Sequence, residues 1–235
     1  MTFVVNALIA RLDEVDRLHL RTIAEEVLLT LDQVLCQPGE PMSHVYFPTH
    51  GFMSLVAMGT AQAGLEVAMV GREGMLGVQA VLGCESMPFR AVALGKGMAW
   101  RVAREDFQRH LANHPITKQL LERYATFRLN QLATLAQCLR SHEVGPRLAR
   151  WLLMSHDRVD GDHFRVTQEA LGALLGVRRV SVTHAANALQ QARAIAYHRG
   201  DLQVLDRQAL QRAACKCYRS DLKSYQVLFT DMRFD

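Results

Sequence analysis

The chain has 235 residues, of which 49% are hydrophobic and 21% charged, so it can bury a substantial core and its composition argues against disorder. No apolar run approaches the ~18–20 residues of a membrane span, and the first six residues lack the basic region of a secretory signal, which predicts a cytoplasmic protein with no membrane partner. The net charge is +4, and it is unevenly distributed along the chain. Residues 141–219 carry 12 basic and 7 acidic side chains, whereas residues 1–140 have no net charge. A polyanion is therefore expected to contact the C-terminal third.

Residues 26 to 105 are predicted to form short strands that end at glycine or proline turns. Many short strands with this punctuation favour an antiparallel sandwich or barrel. Four glycines between Met69 and Arg90 indicate an irregular loop or a single helical turn. The strands are predicted at about residues 27–31, 45–47, 53–58, 65–70, 90–94 and 98–102.

A helical period begins at Pro115, which suits the first turn of a helix. Neither glycine nor proline follows until Gly145-Pro146, which predicts about seven turns up to Arg140 and a domain boundary at residue 145. The helix carries two apolar stripes. One stripe can cover the β domain, and the other then needs a second chain, so we predict a homodimer. The alternative is a helix that is buried wholly within one domain. The predicted dimer interface is the stripe Leu121, Ala125, Leu129, Leu132, Ala136 and Leu139; the other stripe is Leu120, Tyr124, Phe127, Leu135 and Cys138.

The segment from Gln168 to Leu189 has the pattern of a helix-turn-helix. Thr167 can cap the first helix, Gly172 leaves room where two helices cross, and Gly176 can supply the positive φ of a tight turn. The second helix, from Arg178 to about residue 191, leaves hydrogen-bond donors on its outer face, where they could contact phosphates or base edges. The alternative is a plain helical hairpin with a basic face.

Two short runs of alternating residues, 194–198 and 202–205, flank a turn at Arg199-Gly200-Asp201 and predict a β-hairpin. This hairpin would make the unit a winged helix, with Arg199 either contacting a backbone phosphate or simply solvated. The predicted DNA-binding residues are therefore Thr167, Gln168, Arg178, Arg179, Ser181, Thr183, His184 and Arg199.

The five cysteines are odd in number and include no Cys-x-x-Cys pair, which argues against a disulfide framework or a zinc ribbon. Cys215 and Cys217 lie in a tail, Arg207 to Tyr225, that is predicted to form one helix. Residues two apart on a helix point about 200° from each other, so these thiols could not hold a metal together. We predict unbound thiols and no metal site.

The order of these features resembles the Crp/Fnr family of bacterial regulators over about residues 10 to 206. The resemblance rests on Pro38-Gly39-Glu40, Val45-Tyr46-Phe47-Pro48, the long helix, and the run from Thr167-Gln168-Glu169 to Arg178-Arg179. It implies an α+β fold with an antiparallel β-roll (jelly-roll) effector domain in 1–112, a dimerisation helix in 113–144, and a winged helix-turn-helix with a helical tail in 145–235. It also implies a homodimer with recognition helices in successive major grooves of double-stranded DNA and RNA polymerase as a further partner.

The family resemblance also implies roles for single residues. Arg179 falls where the family carries its guanine-reading arginine, and Arg178 falls at a position used for phosphate. Relatives that bind cyclic AMP carry a glutamate for the ribose, and alignment on Gly77 places Val78 at that position. Arg90 is left as the phosphate partner, unless it is structural and pairs with Glu66 or Glu73, or is simply exposed. Gly77, Val78 and Arg90 are thus the effector-site candidates, cyclic AMP binding is not expected, and no cofactor is predicted.

Two other functions compete with DNA binding. One is a small-molecule sensor whose C-terminal domain contacts protein, against which the outward Arg178 and Arg179 argue. The other is a β-barrel metalloenzyme of the cupin type, which needs a His-x-His pair that the chain lacks. His110 and His114 are four residues apart but Pro115 ends any shared helix, so both are predicted to be surface histidines. We therefore predict no enzyme activity.

Overall fold

The computed structural model describes residues 6–59 and 64–230, which contain eight α-helices and ten β-strands. Residues 1–5, in which the sequence predicts no secretory signal, lie outside the described residues. The helices are α1 Glu14–Thr22, α2 Arg104–Asn113, α3 Pro115–Ser141, α4 Val144–His156, α5 Gln168–Leu175, α6 Arg179–Gln191, α7 Arg207–Ala213 and α8 Cys217–Thr230. The strands are β1 Ala24–Leu29, β2 Val34–Cys36, β3 His44–His50, β4 Met53–Ala57, β5 Leu65–Val70, β6 Phe89–Ala93, β7 Gly97–Ala103, β8 His163–Arg165, β9 Ile195–His198 and β10 Asp201–Val204.

The first seven strands form two antiparallel sheets, in the orders β1-β7-β3 and β2-β6-β4-β5. Strand β4 lies between β5 and β6, so that Met53 is opposite both Val70 and Ala93. This arrangement confirms the predicted α+β fold with an N-terminal antiparallel β-roll. Strand β2 was not predicted, because a strand of three residues is too short to display an alternating pattern.

The interior of the roll is filled by apolar side chains of the chain itself. Met53, Met75 and Met87 are almost fully buried, and α3 contributes Leu120 and Tyr124 to the same core. Thioethers are flexible enough to fill irregular gaps between two twisted sheets. The roll is therefore closed by packing of the long helix against it.

The last helix, α8, packs along α3. The ring of Tyr225 meets Phe127 edge-on with centroids 5.1 Å apart, and its hydroxyl donates a hydrogen bond to the backbone oxygen of Glu73 at 2.8 Å. Phe229 is buried in the core of the β-roll. Helix α8 therefore covers part of the stripe of α3 that carries Phe127, which is not the stripe predicted to form the dimer interface.

Helices α4 to α7 and the three-stranded sheet β8-β10-β9 form a second core around Leu152, Leu171 and Val182. The predicted hairpin is β9 and β10, and β8 adds a strand that the sequence did not indicate. The break after α3 falls at His142-Glu143 rather than at the predicted Gly145-Pro146. Pro146 lies in the first turn of α4, where proline is tolerated because no backbone N–H is needed there. The predicted domain limits at 112, 144 and 145 remain predictions.

No helix in the two described stretches, 6–59 and 64–230, combines the length and apolar character needed to cross a membrane.

Candidate nucleic-acid interface

The helix-turn-helix is built by three local features that the sequence predicted. Thr167 caps α5 by accepting a hydrogen bond from the Ala170 backbone N–H at 3.1 Å. Gly176 ends α5 with φ of +65°, a conformation that glycine adopts without strain. A Cβ on Gly172 would lie 3.0 Å from the backbone oxygen of Val177, so any larger residue would require the turn between the helices to move by a few tenths of an ångström.

The second helix starts at Arg179, with Arg178 as its N-cap residue. Arg178, Arg179 and His184 are exposed, and no salt bridge within the described part of the chain engages either arginine. Ser181 and Thr183 are only half-buried, so they too reach the surface. The N-terminal end of α6 therefore presents two free guanidinium groups to solvent.

Thr183 has a second role besides facing outward. Its hydroxyl lies 2.6 Å from Oε1 of Gln168 and donates to it, which ties the first turn of α5 to the second turn of α6. Both residues were predicted to contact DNA, and the structure places them in contact with each other. An amide held in this way offers its remaining donor group in a fixed direction.

The wing brings Arg199 to the same surface. Arg199 and Gly200 have φ of +49° and +85°, the two positive values of a tight hairpin turn between β9 and β10. A cleft separates the wing from α6, and its lining includes four of the predicted DNA-binding residues, Thr167, Gln168, Arg179 and Arg199, together with Glu169, Tyr197 and Gly200. The sequence did not predict Glu169 and Tyr197 as part of this surface.

The orientation of this unit is fixed by polar contacts with the β-roll and with α4. The Arg147 guanidinium donates to the backbone oxygen of Leu175 at the C-terminal end of α5. Arg158 forms a partly buried ion pair with Glu73 of the roll at 2.7 Å. The Trp151 indole N–H donates to Oε1 of Glu66 at 2.8 Å, and Glu66 lies on strand β5.

Glu66 is a buried carboxyl group between the two cores. Burial raises the pKa of Glu66 to about 7, although the hydrogen bonds from Ser54 and Trp151 and the positive charges of Arg158 and Arg150 act in the opposite direction. The Ser54 hydroxyl donates to Oε2 at 2.5 Å. This contact between the domains is therefore held by a group that titrates near neutral pH.

The three effector-site candidates, Gly77, Val78 and Arg90, lie in the β-roll, and the backbone conformation explains the glycine. Gly77 has φ of +88° at the start of the 3-10 turn Val78–Leu82, and a Cβ there would lie 3.0 Å from Cγ1 of Val45. Val78 packs against the core of the roll. Arg90 lies on β6, and its buried Nε has no hydrogen-bond partner among the described residues.

The alternative pairing of Arg90 with a glutamate is contradicted. The carboxylate of Glu66 accepts from Ser54 and Trp151, and that of Glu73 is engaged by Arg158. Arg90 therefore remains a candidate contact for an anion.

Only some residues of the predicted dimer stripe are exposed in the structure. Leu121 and Ala125 are only 2% and 7% exposed within a single chain, so their assignment to an interface was wrong. Leu132 is half-buried, and Leu139 lines a crevice with Trp151 between the two cores. Leu129 and Ala136 lie on the open face of α3, and for them the prediction stands.

The prediction that His110 is a surface residue was wrong. His110 is 1% exposed, and its Nδ1 lies 2.8 Å from Nδ1 of His19. The ring of His114 stacks on that of His110 with centroids 4.2 Å apart, and its Nδ1 contacts Asp16. Burial, together with the charges of the neighbouring His114 and His19, lowers the pKa of His110 to about 4. The proline separates the two helices without separating these side chains.

Comparison with known proteins agrees with this architecture. The model of the cyclic nucleotide-binding domain matches residues 26–114, and the model of the Crp-like helix-turn-helix domain matches residues 146–213. The global nitrogen regulator of Synechococcus elongatus is 25% identical over 185 residues, which make up 74% of this chain and 83% of that relative.

Two solved structures share the fold at low sequence identity. FixK2 from Bradyrhizobium japonicum superposes with a TM-score of 0.69 at 16% identity, over 82% of this chain and 98% of FixK2. The c-di-GMP responsive global regulator CLP of Xanthomonas campestris superposes with a TM-score of 0.66 at 15% identity, over 82% of this chain and 99% of CLP.

A cyclic-nucleotide-type β-roll joined to a Crp-like helix-turn-helix defines a transcription regulator. The chain belongs to the Crp/Fnr family, as its sequence motifs indicated. That family consists of regulators of transcription rather than enzymes.

Proposed function

We propose that the protein is a homodimer that binds an inverted repeat in double-stranded DNA through the major groove, and so regulates transcription together with RNA polymerase. The observation that supports this proposal best is the exposed Arg178-Arg179 pair at the N-terminal end of α6, beside the wing. The N-terminal end of the recognition helix is the part that enters the groove in helix-turn-helix proteins.

The open face of α3 supports the proposed dimer. Leu129, Ala133 and Ala136 are exposed and spaced at i, i+4 and i+7, so they share one side of the helix. Two alanines allow a second helix to approach closely, and a leucine between paired helices buries apolar area. A two-fold dimer of this kind would place its recognition helices about 34–36 Å apart, one turn of duplex.

The test of sequence-specific binding compares two neighbouring arginines. Arg179 can donate two bonds to O6 and N7 of a guanine, so Arg179→Ala should cost about 1–3 kcal/mol of discrimination at one guanine in each half-site. Arg178→Ala should weaken operator and random DNA alike and reduce the salt dependence of binding, as loss of a phosphate contact does. The measurement is fluorescence anisotropy with operator and random duplexes over a range of salt concentrations, the operator first being selected from a random library.

Arg193→Ala is the matched control, since Arg193 is exposed but lies beyond the C-terminal end of α6. It should keep both affinity and preference. Full sequence preference in Arg179→Ala together with its loss in Arg178→Ala would show that the two roles are reversed.

The competing function is a small-molecule sensor whose C-terminal domain contacts protein. It predicts that even random duplex DNA fails to bind at low salt, where phosphate contacts are strongest. Absence of binding to every duplex under these conditions would favour the sensor and contradict our proposal.

Cyclic AMP is not expected to be the effector. Val78 cannot accept a hydrogen bond from a ribose hydroxyl, and the roll is filled by Met53, Met75 and Met87. Calorimetry with cyclic AMP should therefore give no saturable heat at concentrations up to millimolar. Low-micromolar binding would show that the alignment on Gly77 is wrong.

A panel of other anionic nucleotides tests Arg90 as an effector contact. The panel includes cyclic di-GMP, because CLP is described as responsive to that ligand. A ligand that raises the melting temperature of the wild-type protein but not of Arg90→Ala would support Arg90 as its phosphate partner.

A further inference from the structure

Four side chains with metal-binding atoms meet at the C-terminal end of the long helix. Cys138 lies in the last turn of α3, His142 directly follows that helix, Cys215 lies between α7 and α8, and Cys217 begins α8. Their three Sγ atoms and one imidazole nitrogen all lie within 4.8 Å of one another. Cys138 and Cys215 are 77 residues apart in the chain, so the fold assembles a set that no local motif shows.

The distances agree with tetrahedral coordination of one ion. Sγ of Cys138 lies 3.6 Å from Sγ of Cys215, and Sγ of Cys217 lies 3.7 Å from Nδ1 of His142. Zinc at about 2.3 Å from sulfur and about 2.0–2.1 Å from nitrogen would separate tetrahedral ligands by ~3.8 Å for a sulfur pair and ~3.5 Å for sulfur and nitrogen. The sulfur pair is too far apart for a disulfide, in which the bond is about 2.05 Å.

A break in the tail makes this arrangement possible. The sequence predicts one helix over residues 207–225, on which the thiols of Cys215 and Cys217 would diverge. The structure ends α7 at Ala213 and starts α8 at Cys217, so the geometry behind that prediction was wrong. The backbone N–H of Cys215 donates to the oxygen of Pro146 at 3.3 Å, which anchors this break to α4.

The surroundings suit a site with negative ligands. Cys138, Cys215 and Cys217 are buried and form a cluster of their own, separate from the two apolar cores. Three thiolates and a neutral imidazole around a divalent cation carry a net charge of −1. The guanidinium groups of Arg147 and Arg150 interact electrostatically with the thiols of Cys138 and Cys215, so that charge would be balanced locally.

We propose that Cys138, His142, Cys215 and Cys217 bind one Zn²⁺ ion in a closed Cys₃His site. Thiolate and imidazole are the ligands that zinc takes in structural sites, and four protein ligands leave no open position for water or substrate. The ion would hold together three segments of the chain, the end of α3, the link to α4 and the start of α8. The site is thus structural rather than catalytic.

Zinc at this site would also affect DNA binding, an inference that rests on the proposed function. His142 and Glu143 are the only residues between α3 and α4, so the ion fixes the point where the DNA-binding unit joins the long helix. Removal of the ion should loosen that joint and lower operator affinity by about 10-fold, within the usual range of coupling between distant sites.

The test begins with the full-length protein purified under reducing conditions without added metal. Elemental analysis should find one zinc per chain. Cobalt(II) added to protein stripped with a chelator should give the intense visible bands of a tetrahedral site and a sulfur-to-cobalt charge-transfer band. Cys138→Ser and the double variant Cys215→Ser/Cys217→Ser should lose at least nine-tenths of the zinc, whereas Cys36→Ser/Cys84→Ser, which changes the two cysteines outside the cluster, should keep it.

The metal measurement is independent of DNA binding, so the two proposals can fail separately. Failure of the wild type to bind zinc after stripping and titration would overturn the site even if a variant does not fold. Several iron atoms with labile sulfide, or a Cys138–Cys215 disulfide in the freshly purified protein, would also overturn it. A protein that binds one zinc but no DNA would leave the site intact and contradict only its role in regulation.

Discussion

Replacing Leu129 by glutamate is expected to convert the protein from a dimer to a monomer. Leu129 is 66% exposed on the open face of α3, so the change adds a solvated charge to a single chain and should leave its fold intact. In the dimer the two carboxylates would lie against apolar surface and near each other, at a cost of several kcal/mol. Because a monomer engages one half-site at a time, operator affinity should fall by about 10²- to 10⁴-fold.

The measurement is light scattering at micromolar concentration together with operator binding. Val15→Glu is the control, because Val15 is 70% exposed on another helix, α1, and should leave the dimer unchanged. Substitution of Leu132 or Leu139 is a poorer test, since both are half-buried within one chain and their loss would also disturb the protomer. A wild-type monomer, or a Leu129→Glu dimer with full operator affinity, would contradict the proposed interface.

Replacing Glu66 by glutamine is expected to stabilise the protein at alkaline pH. Burial raises the pKa of Glu66 to about 7 in the folded protein, whereas an unfolded glutamate titrates at 4.5. The folded state therefore binds more protons between these values, and the contribution of Glu66 to the free energy of unfolding falls as pH rises from about 4.5 to 7. Glutamine stays neutral and can still bond to Ser54 and Trp151, so the gain over wild type should grow through this window to at most about 3 kcal/mol.

Urea unfolding of both proteins between pH 4.5 and 8.5 measures this difference. Glu122→Gln, at an exposed position on α3, is the matched control and should show no pH-dependent gain. A stability difference that changes in the opposite direction, with Glu66→Gln losing stability relative to wild type as the pH rises, would mean that the carboxylate is stabilised as an ion by Arg150 and Arg158. The pKa of Glu66 would then lie below 4.5 instead of above it.

The parts of the fold that the sequence predicted are those with short-range signals. The cap at Thr167 and the turn at Gly176 act within a few residues, so the two helices could be located before the structure was known. The strands of the β-roll were visible because apolar residues alternate between glycine and proline turns. The assignment of these strands to a β-roll came from the family resemblance, and their order was not predicted, since pairing of distant strands leaves no local trace.

The parts that the sequence did not predict depend on contacts between distant segments. Leu121 and Ala125 look free on an isolated helix, but the fold buries them. His110 lies on α2 and His114 in the break between α2 and α3, yet their rings stack. The grouping of Cys138 with Cys215 requires the tail to bend after α7 and return to α3. A single sequence carries none of these distances.

Because α8 packs back against α3 and the β-roll, the β-roll is synthesised first but can be completed only after the DNA-binding domain. Phe229 is buried in the core of the roll, so the domain that leaves the ribosome first lacks one of its aromatic side chains until the last turn of helix emerges. The helix-turn-helix unit, residues 146–213, is synthesised before that turn. In a nascent chain the side of α3 around Phe127 thus stays exposed while the DNA-binding domain folds. Exposed apolar surface of this kind is where chaperones bind and aggregation begins. A stop codon shortly after residue 213 would leave the roll in that incomplete state permanently.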